Sequence, residues 1–443
     1  MKHVFKYIFF TIAAIFIAAI CFLAYDYFQS QEKFPPLTFI GRVNVGGLEQ
    51  QQAIEKINRL GLAQAFYPTI SFEADGAYYM FSAEAIGLSL NADQAVANAY
   101  RLTHNESYLK NLKDRFAKGG KTVCPVILNI NDELLTAVIE GIAAEIKTSS
   151  QDASVVLFEE SGGYHIEKEV IGRDIDVAQT LADVKQGLQS GAQLFSVKVI
   201  KSPPRITESM LRPHPPVYRL SAYTTYYGRH DSPNRIHNIK LIASWLKGTV
   251  LLSGETLSLA NAIGDFTEER GFKEAFVIYN GVLVPQLGGG TCQIGTTLYN
   301  AVSLADLKIN QRSNHSFYFN IYPLGRDATV YPGQKDFVFT NNSPFPVLVD
   351  AVATNKRLSF RIYGTPSGKK VTFSYPKVFM LTDAGYRPAS VRQVLDADSP
   401  FKTIITRTVF DAAGKKIKDE KIYSFYKLYG EKSNVPIARP ESR

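Results

Sequence analysis

The sequence predicts an α+β chain: an N-terminal transmembrane helix, two tandem α+β modules, a mixed α/β domain and a C-terminal β-hairpin extension. Three observations carry this reading. Tyr7 to Tyr25 runs nineteen residues without a charge, and a segment around Tyr79 recurs 85 residues later around Tyr164. The rest alternates amphipathic helix patterns with short apolar strands.

The run YIFFTIAAIFIAAICFLAY is long enough to cross a hydrocarbon core as a helix, so residues 1–25 read as a cytoplasmic stub and membrane anchor. Lys2 and Lys6 precede it; positive charge there keeps the N-terminus cytoplasmic and exports the bulk to the extracytoplasmic side. A secretory signal peptide also begins basic and apolar. The length of the run and the lack of a small-x-small site before Asp26 favour an uncleaved signal-anchor. Residues 26–38 (DYFQSQEKFPPLT), polar with a Pro-Pro pair, read as a stem.

Lysine and arginine number 49 against 41 acidic residues, a formal charge of +8. That balance suits anionic wall polymers or lipid headgroups, and serves solubility equally well. It is not gathered into a patch with interleaved aromatics, which argues against nucleic acid as a partner. Of the three cysteines, Cys21 lies in the anchor, leaving Cys124 and Cys292 outside it. A disulfide framework is thereby excluded, and a single bridge between those two stays open. No Cys/His cluster has metal-ligand spacing, so no metal or other cofactor is expected.

The repeat matches Tyr79, Glu84, Ile86, Gly87, Leu90, Gln94 and Val96 to Tyr164, Glu169, Ile171, Gly172, Ile175, Gln179 and Leu181. Each copy has a hairpin-like opening (FEADGAYYMF or FEESGGYHIE), an x-I-G element and an amphipathic helix, with a further helix ahead of the hairpin. Residues 39–115 and 116–201 are therefore expected to be two copies of one small module. Residues 202–216, opening with Ser-Pro-Pro, read as a linker. Residues 217–365 begin with a well-signalled helix: Ser232 as N-cap, Pro233 in the first helical position, then Ile236, Ile239, Ala243 and Leu246 on one face. Residues 366–443 form the C-terminal β extension, where TIITRTVF and KIYSFYKLY alternate around a DAAGKK turn.

The candidate chemistry lies in residues 274–305. Two short apolar strands flank Asn280-Gly281, a two-residue hairpin signal, and lead into Gly288-Gly289-Gly290. A helix pattern follows at once, with Ile294, Leu298, Ala301 and Ala305 on one face and Cys292, Thr296, Tyr299 and Ser303 roughly opposite. Cys292 thus stands in the first turn of a helix and is expected to face a cleft. Unpaired N–H groups and the positive helix end lower a thiol pKa there, and the N–H groups of Gly289 and Gly290 could hold a developing oxyanion. The alternative is a small buried cysteine beside glycines that only permit close packing.

An acyl-transfer cysteine also needs a base. His315, in RSNHSFYF, follows the cysteine helix closely in sequence and is the first choice; His237, inside the first helix of the region, is the reserve. Either could instead hydrogen-bond loop backbone. Asn314 and Asp327 are candidate orienters, with Asp327 taken into the catalytic set. Arg326 could grip a substrate carboxylate or close a local turn with Asp327, and Tyr299 could contact substrate.

The run from Arg235 to Val302, including QLGGGTCQIGTTLYNAV, followed by His315-Ser316 and GRDATVYPG, resembles the VanW domain over roughly residues 220–350. The duplicated modules resemble the peptidoglycan-binding domain that often precedes VanW, on NVGGLEQQQAI and the x-I-G element. Proteins of this layout are typical of Gram-positive envelopes. The resemblance implies peptidoglycan stem peptides and glycan as partners. Some VanW-domain proteins act as L,D-transpeptidases through the cysteine of a GGG-[TV]-C-Q motif, which falls here on Cys292. The usual Ser-His-Gly-Cys motif of L,D-transpeptidases is absent, so the resemblance does not name the base. A non-catalytic wall-binding or scaffold protein is the alternative, and a hydrolase with water as acceptor a third reading.

Overall fold

The computed structural model describes residues 2–427 apart from 62–68, 105–106, 118, 159–161, 229–230, 280–281 and 397–398. Its elements mix helix and strand. Contacts divide the chain into two units: residues 1–151 with 171–203, and residues 152–170 with 204–443.

In the first unit the apolar run lies within the helix Lys2–Glu32, of which Lys6–Glu32 is long and apolar enough to cross a membrane. The helix continues into the expected stem because DYFQSQE holds no proline or glycine, and its end is tied down. The Tyr108 hydroxyl donates to Asp26 Oδ2 at 2.8 Å and the Tyr100 hydroxyl to Gln31 O at 2.7 Å. The non-helical stem begins only at Lys33.

The glycine of each x-I-G element has a steric reason. A Cβ on Gly87 (φ +81°) would sit 2.9 Å from Asn131 Cβ, and one on Gly172 would sit 2.8 Å from Ser150 N. The strand that follows pairs in both copies, Leu88–Leu90 with Leu128–Ile130 and Gly172–Ile175 with Val199–Ser202. The order of elements recurs, but the cores do not follow the repeat boundaries. Ile70, Phe72 and Ile86 share a core with Leu135, Ile139 and Val184. The second hairpin, Ser154–Leu157 with Tyr164–Glu167, belongs to the second unit, where Val155 clusters with Ile206, Leu211, Val250 and Leu348.

The second unit is built on an antiparallel sheet in the spatial order Tyr218–Tyr226, Arg357–Gly364, Val347–Ala353, Thr249–Leu251. The helix Pro233–Leu246 packs on it, started by Ser232, whose Oγ accepts from the Arg235 N–H at 3.2 Å. The helix Thr291–Leu304 packs on the same sheet, against Tyr218–Tyr226 and Arg357–Gly364, and touches the helix Pro233–Leu246; from Thr291 to Ser303 each residue except Cys292 is buried. This overturns the one-sided amphipathic reading. Thr291, Gln293, Thr296 and Thr297 can lie inside because they find partners there, as Thr297 does with Gln293 O (2.6 Å) and Thr225 Oγ1 (2.8 Å).

The alternating C-terminal runs form the long hairpin Phe401–Phe410 with Lys416–Tyr426, part of a five-stranded sheet. Arg407, 3 % exposed, fixes this sheet to the end of the cysteine helix. It donates to Ser303 O at 3.0 Å and pairs with Asp306 at 2.7 Å and Glu420 at 2.6 Å.

Candidate active site

The strands Glu274–Tyr279 and Val282–Leu287 pair with Tyr279 opposite Val282; the Asn280-Gly281 turn lies outside the described residues. The chain then turns into the cysteine helix through three tightly packed glycines. A Cβ would fall 2.6 Å from the Phe266 ring at Gly288, 2.7 Å from Ala275 Cβ at Gly289 and 2.7 Å from Ile239 Cγ1 at Gly290. Gly288 and Gly290 also take φ values of +87° and +111°, which side-chain-bearing residues resist. Gly290 is the N-cap, and no side chain caps the helix. Cys292 therefore sits beside an uncapped, partially positive helix end.

The helix is laced to the segment 326–330. The Cys292 thiol points to Val330 O at 3.7 Å. Thr296 Oγ1 donates to Ala328 O at 3.1 Å and accepts from the Ala328 N–H at 2.9 Å. Asn300 Nδ2 donates to Arg326 O at 2.8 Å. Gly295 permits this approach, since a Cβ there would lie 2.8 Å from Val330 Cγ2.

This lacing delivers Asp327 to the cysteine's neighbourhood, and His315 joins it. Asp327 Oδ2 accepts from His315 Nδ1 at 2.6 Å and from the His315 N–H at 2.7 Å. The Tyr322 ring stacks on the imidazole at 5.3 Å and Phe319 meets it edge-on at 5.1 Å. Nδ1 is thus committed to Asp327, and the Cys292 thiol lies close enough to the imidazole for the two groups to act on each other's protonation.

The electrostatics follow from this chain of contacts. Burial disfavours the thiolate, but the His315 hydrogen bond and charge, with Arg235 behind them, hold the Cys292 thiol below the ordinary range. Burial likewise disfavours the imidazolium, yet the bonds to Asp327 and Cys292 push His315 up to about 9. Burial would raise Asp327; His315 and Arg312 instead keep it below the usual carboxylate range. The arrangement shifts the pair toward thiolate and imidazolium.

Cys292, His315 and Asp327 are brought together, with Gly289 and Gly290 at the same helix start. His237 stands elsewhere, bonded to Gly271 O at 2.9 Å. Tyr299 is 2 % exposed, edge-on to Phe337 in the core, and does not reach a cleft. Arg326 does not close on Asp327; its guanidinium lies over the rings of Phe373 (4.6 Å) and Tyr223 (5.7 Å). Asn314 braces backbone, donating to His315 O and Phe425 O at 2.7 Å each.

Sequence reasoning missed four residues here. Arg312 is the cation on Asp327, at 3.2 Å from Oδ1, and Tyr426 donates to the same oxygen at 2.6 Å. Arg235 pairs with Asp231 and donates to Gln293 Oε1, both at 2.8 Å. Gln293 in turn donates to Thr225 Oγ1 at 2.9 Å, which fixes the residue after the cysteine to the sheet. A cleft of about 450 Å³ runs alongside, lined by Tyr223, Tyr226, Tyr227 and Tyr322. Among the described residues, no three His, Cys, Asp or Glu side chains gather as a metal site.

Residues 234–363 match the family described as "VanW like protein". The chain carries a VanW-like domain. Cys292, His315 and Asp327 all fall inside it. Residues 79–195 match the family described as "Putative peptidoglycan binding domain". Two relatives are similar to part of the chain. One is the "Uncharacterized protein YoaR" of Bacillus subtilis, 36 % identical over 158 residues, which span 36 % of this chain and 52 % of that protein. The other is the "Vancomycin B-type resistance protein VanW" of Enterococcus faecalis, 30 % identical over 115 residues, 25 % of this chain and 42 % of that protein. The chain thus spans about half the length of each of these relatives. No solved structure matches it.

Proposed function

We propose that this chain is a membrane-anchored cell-wall protein that acts on peptidoglycan as a cysteine acyltransferase of the L,D-transpeptidase type, through a Cys292 thioester. The observation that carries this reading is the continuous path from Cys292 through His315 to Asp327 at an uncapped helix start. The 79–195 match supports peptidoglycan as the partner.

In this reading the Cys292 thiolate attacks a stem-peptide carbonyl, and the N–H groups of Gly289 and Gly290 receive the oxyanion, those of Thr291 and Gln293 being bonded to Gly288 O and Gly290 O. The C–N bond to the terminal D-residue breaks as the His315 imidazolium gives its proton to the leaving amine. An amine of a second stem then attacks the thioester and passes its proton to His315, and the C–S bond breaks to restore the thiolate. Arg326, held between two rings beside the cleft, is the candidate grip for a stem carboxylate.

A non-catalytic peptidoglycan-binding protein is the second reading, favoured by a specific observation. All three glycines before Cys292 are required by packing alone, so the turn has a reason to exist without chemistry. The test is to incubate a soluble chain of residues 33–427 with tetrapeptide-stem muropeptides and purified sacculi. A Cys292 adduct of acyl mass, with release of the terminal D-residue, supports the transferase. Sacculus binding by a folded chain with no adduct, unchanged in Cys292→Ala, establishes the binding reading instead.

A further inference from the structure

The family match that contains Cys292, His315 and Asp327 ends at residue 363, yet one side of the Asp327 carboxylate is built from beyond it. Tyr426, the last residue of the strand Lys416–Tyr426, donates to Asp327 Oδ1 at 2.6 Å and accepts from the Gly325 N–H at 3.0 Å. Its ring is 2 % exposed, tilted against Phe401 at 4.9 Å and edge-on to Tyr318 at 6.0 Å. The same strand end holds the chain on both sides of His315. Arg312 Nη1 donates to Ser424 Oγ at 2.9 Å, Asn314 Nδ2 to Phe425 O at 2.7 Å, and the Lys427 N–H to Ser316 O at 2.7 Å.

We propose that Tyr426 is a positioning residue for the Cys292–His315–Asp327 centre, and that the C-terminal sheet is thereby an integral part of that centre. The proposal rests on the reading of Cys292 as a nucleophile. A carboxylate held through one oxygen turns about its own bond unless the other oxygen is also fixed. Arg312 supplies the longer tie to Oδ1, 3.2 Å, and Tyr426 the shorter, charge-assisted one. Burial, then the Asp327 charge, keeps the phenol protonated far above its usual range, so it remains a donor wherever the site works. Without that hydroxyl, Oδ1 keeps a lone pair in a dry space and Oδ2 can swing off His315, so imidazolium and thiolate lose their support together. The charged and titratable groups facing the pair are Asp327, Arg312, Arg235, Asp231, Tyr322 and Tyr426.

The experiment is iodoacetamide alkylation of Cys292 against pH, read by peptide mass spectrometry, in the full chain held in detergent. Tyr426→Phe keeps the ring and removes the bond. Val409→Ala, in the same hairpin opposite Lys418 and away from Asp327, controls for a loosened sheet. Tyr426→Phe is expected to move the inflection to higher pH and slow alkylation at pH 6.5 by about three- to tenfold, converging with the unaltered chain above pH ~9.5. Val409→Ala is expected to reproduce the unaltered profile while lowering Tm. Where Tyr426→Phe fails to fold, Ser424→Ala, which leaves Arg312 Nη1 only its longer bond to Tyr423 O at 3.3 Å on this strand, should give a smaller shift in the same direction. An early inflection in the unaltered chain that coincides with Tyr426→Phe, or with Ser424→Ala where that variant stands in, overturns this proposal alone. So does an equal shift in Val409→Ala. An ordinary thiol profile in the unaltered chain overturns the nucleophile reading, and this proposal with it.

Discussion

Asp327 Oδ2 accepts two hydrogen bonds from one residue, the backbone N–H and the ring Nδ1 of His315, at 2.7 and 2.6 Å. The first fixes where the histidine backbone lies and the second fixes how its ring is turned. An asparagine at 327 would place an amide N–H against donors on one side or the other: His315 on one, Tyr426 and Arg312 on the other. Asp327→Asn is therefore expected to lower the His315 pKa and raise that of Cys292. Cys292 alkylation at pH 6.5 should fall by about tenfold or more. Retention of the unaltered rate in a folded Asp327→Asn protein would mean that the carboxylate is not what sustains the thiolate.

Transfer and alkylation should part company at alkaline pH. Transfer needs both thiolate and imidazolium, so its rate should rise through the depressed Cys292 pKa and decline as His315 loses its proton near 9. Alkylation needs only the thiolate and should hold its plateau. The check is to run D-residue release and iodoacetamide labelling on one sample from pH 5 to 10. Parallel curves above pH 9 would remove His315 as the proton donor.

Gly290→Ala should be costly twice over. Its φ of +111° resists a side chain, and the new methyl would press on Ile239 Cγ1 and the Arg235 carbonyl. A destabilisation of about 2–4 kcal/mol in urea unfolding is expected, with loss of the early alkylation inflection as the helix start shifts. An unchanged midpoint would show that the turn relaxes easily and that its glycines are dispensable.

Lys2 and Lys6 precede the apolar helix, so protease added to intact protoplasts should digest the chain beyond Lys33. Full protection of that region would put it in the cytoplasm and separate it from any wall polymer.

The meeting of Cys292, His315 and Asp327 is legible in the sequence because each lies near a strong local signal: the glycine turn, the segment after the helix, and the Gly-Arg-Asp run. What surrounds them is not. Asp327 and Tyr426 are 99 residues apart, and only the register of the final hairpin joins them. Arg326 looks like the partner of Asp327 because it is adjacent, but consecutive side chains of an open chain point to opposite sides. It turns to Tyr223 and Phe373, and Arg312 takes the carboxylate. Tyr299 fails for a related reason. A helical wheel assumes one wet side, and a helix enclosed all round has none, so its polar stripe runs instead through Thr296 and Asn300 to neighbouring backbone. The docking of the apolar N-terminal helix's end through Asp26 is equally invisible, since it depends on Tyr108.

The lacing of Cys292, Thr296 and Asn300 to Val330, Ala328 and Arg326 behaves as a vernier between two unequal scales. Four helical residues advance about 6.0 Å and two extended residues about 6.6 Å, so each rung slips by roughly half an ångström. Three rungs stay within hydrogen-bond tolerance; many more would not. The cysteine end is the longest rung, sulfur lying 3.7 Å from its carbonyl, a length set by the larger sulfur atom, while the amide at the far end closes at 2.8 Å. The gauge is thus set by Thr296 and Asn300, and the longer reach of the Cys292 sulfur lets the last rung close without drawing the two scales into register.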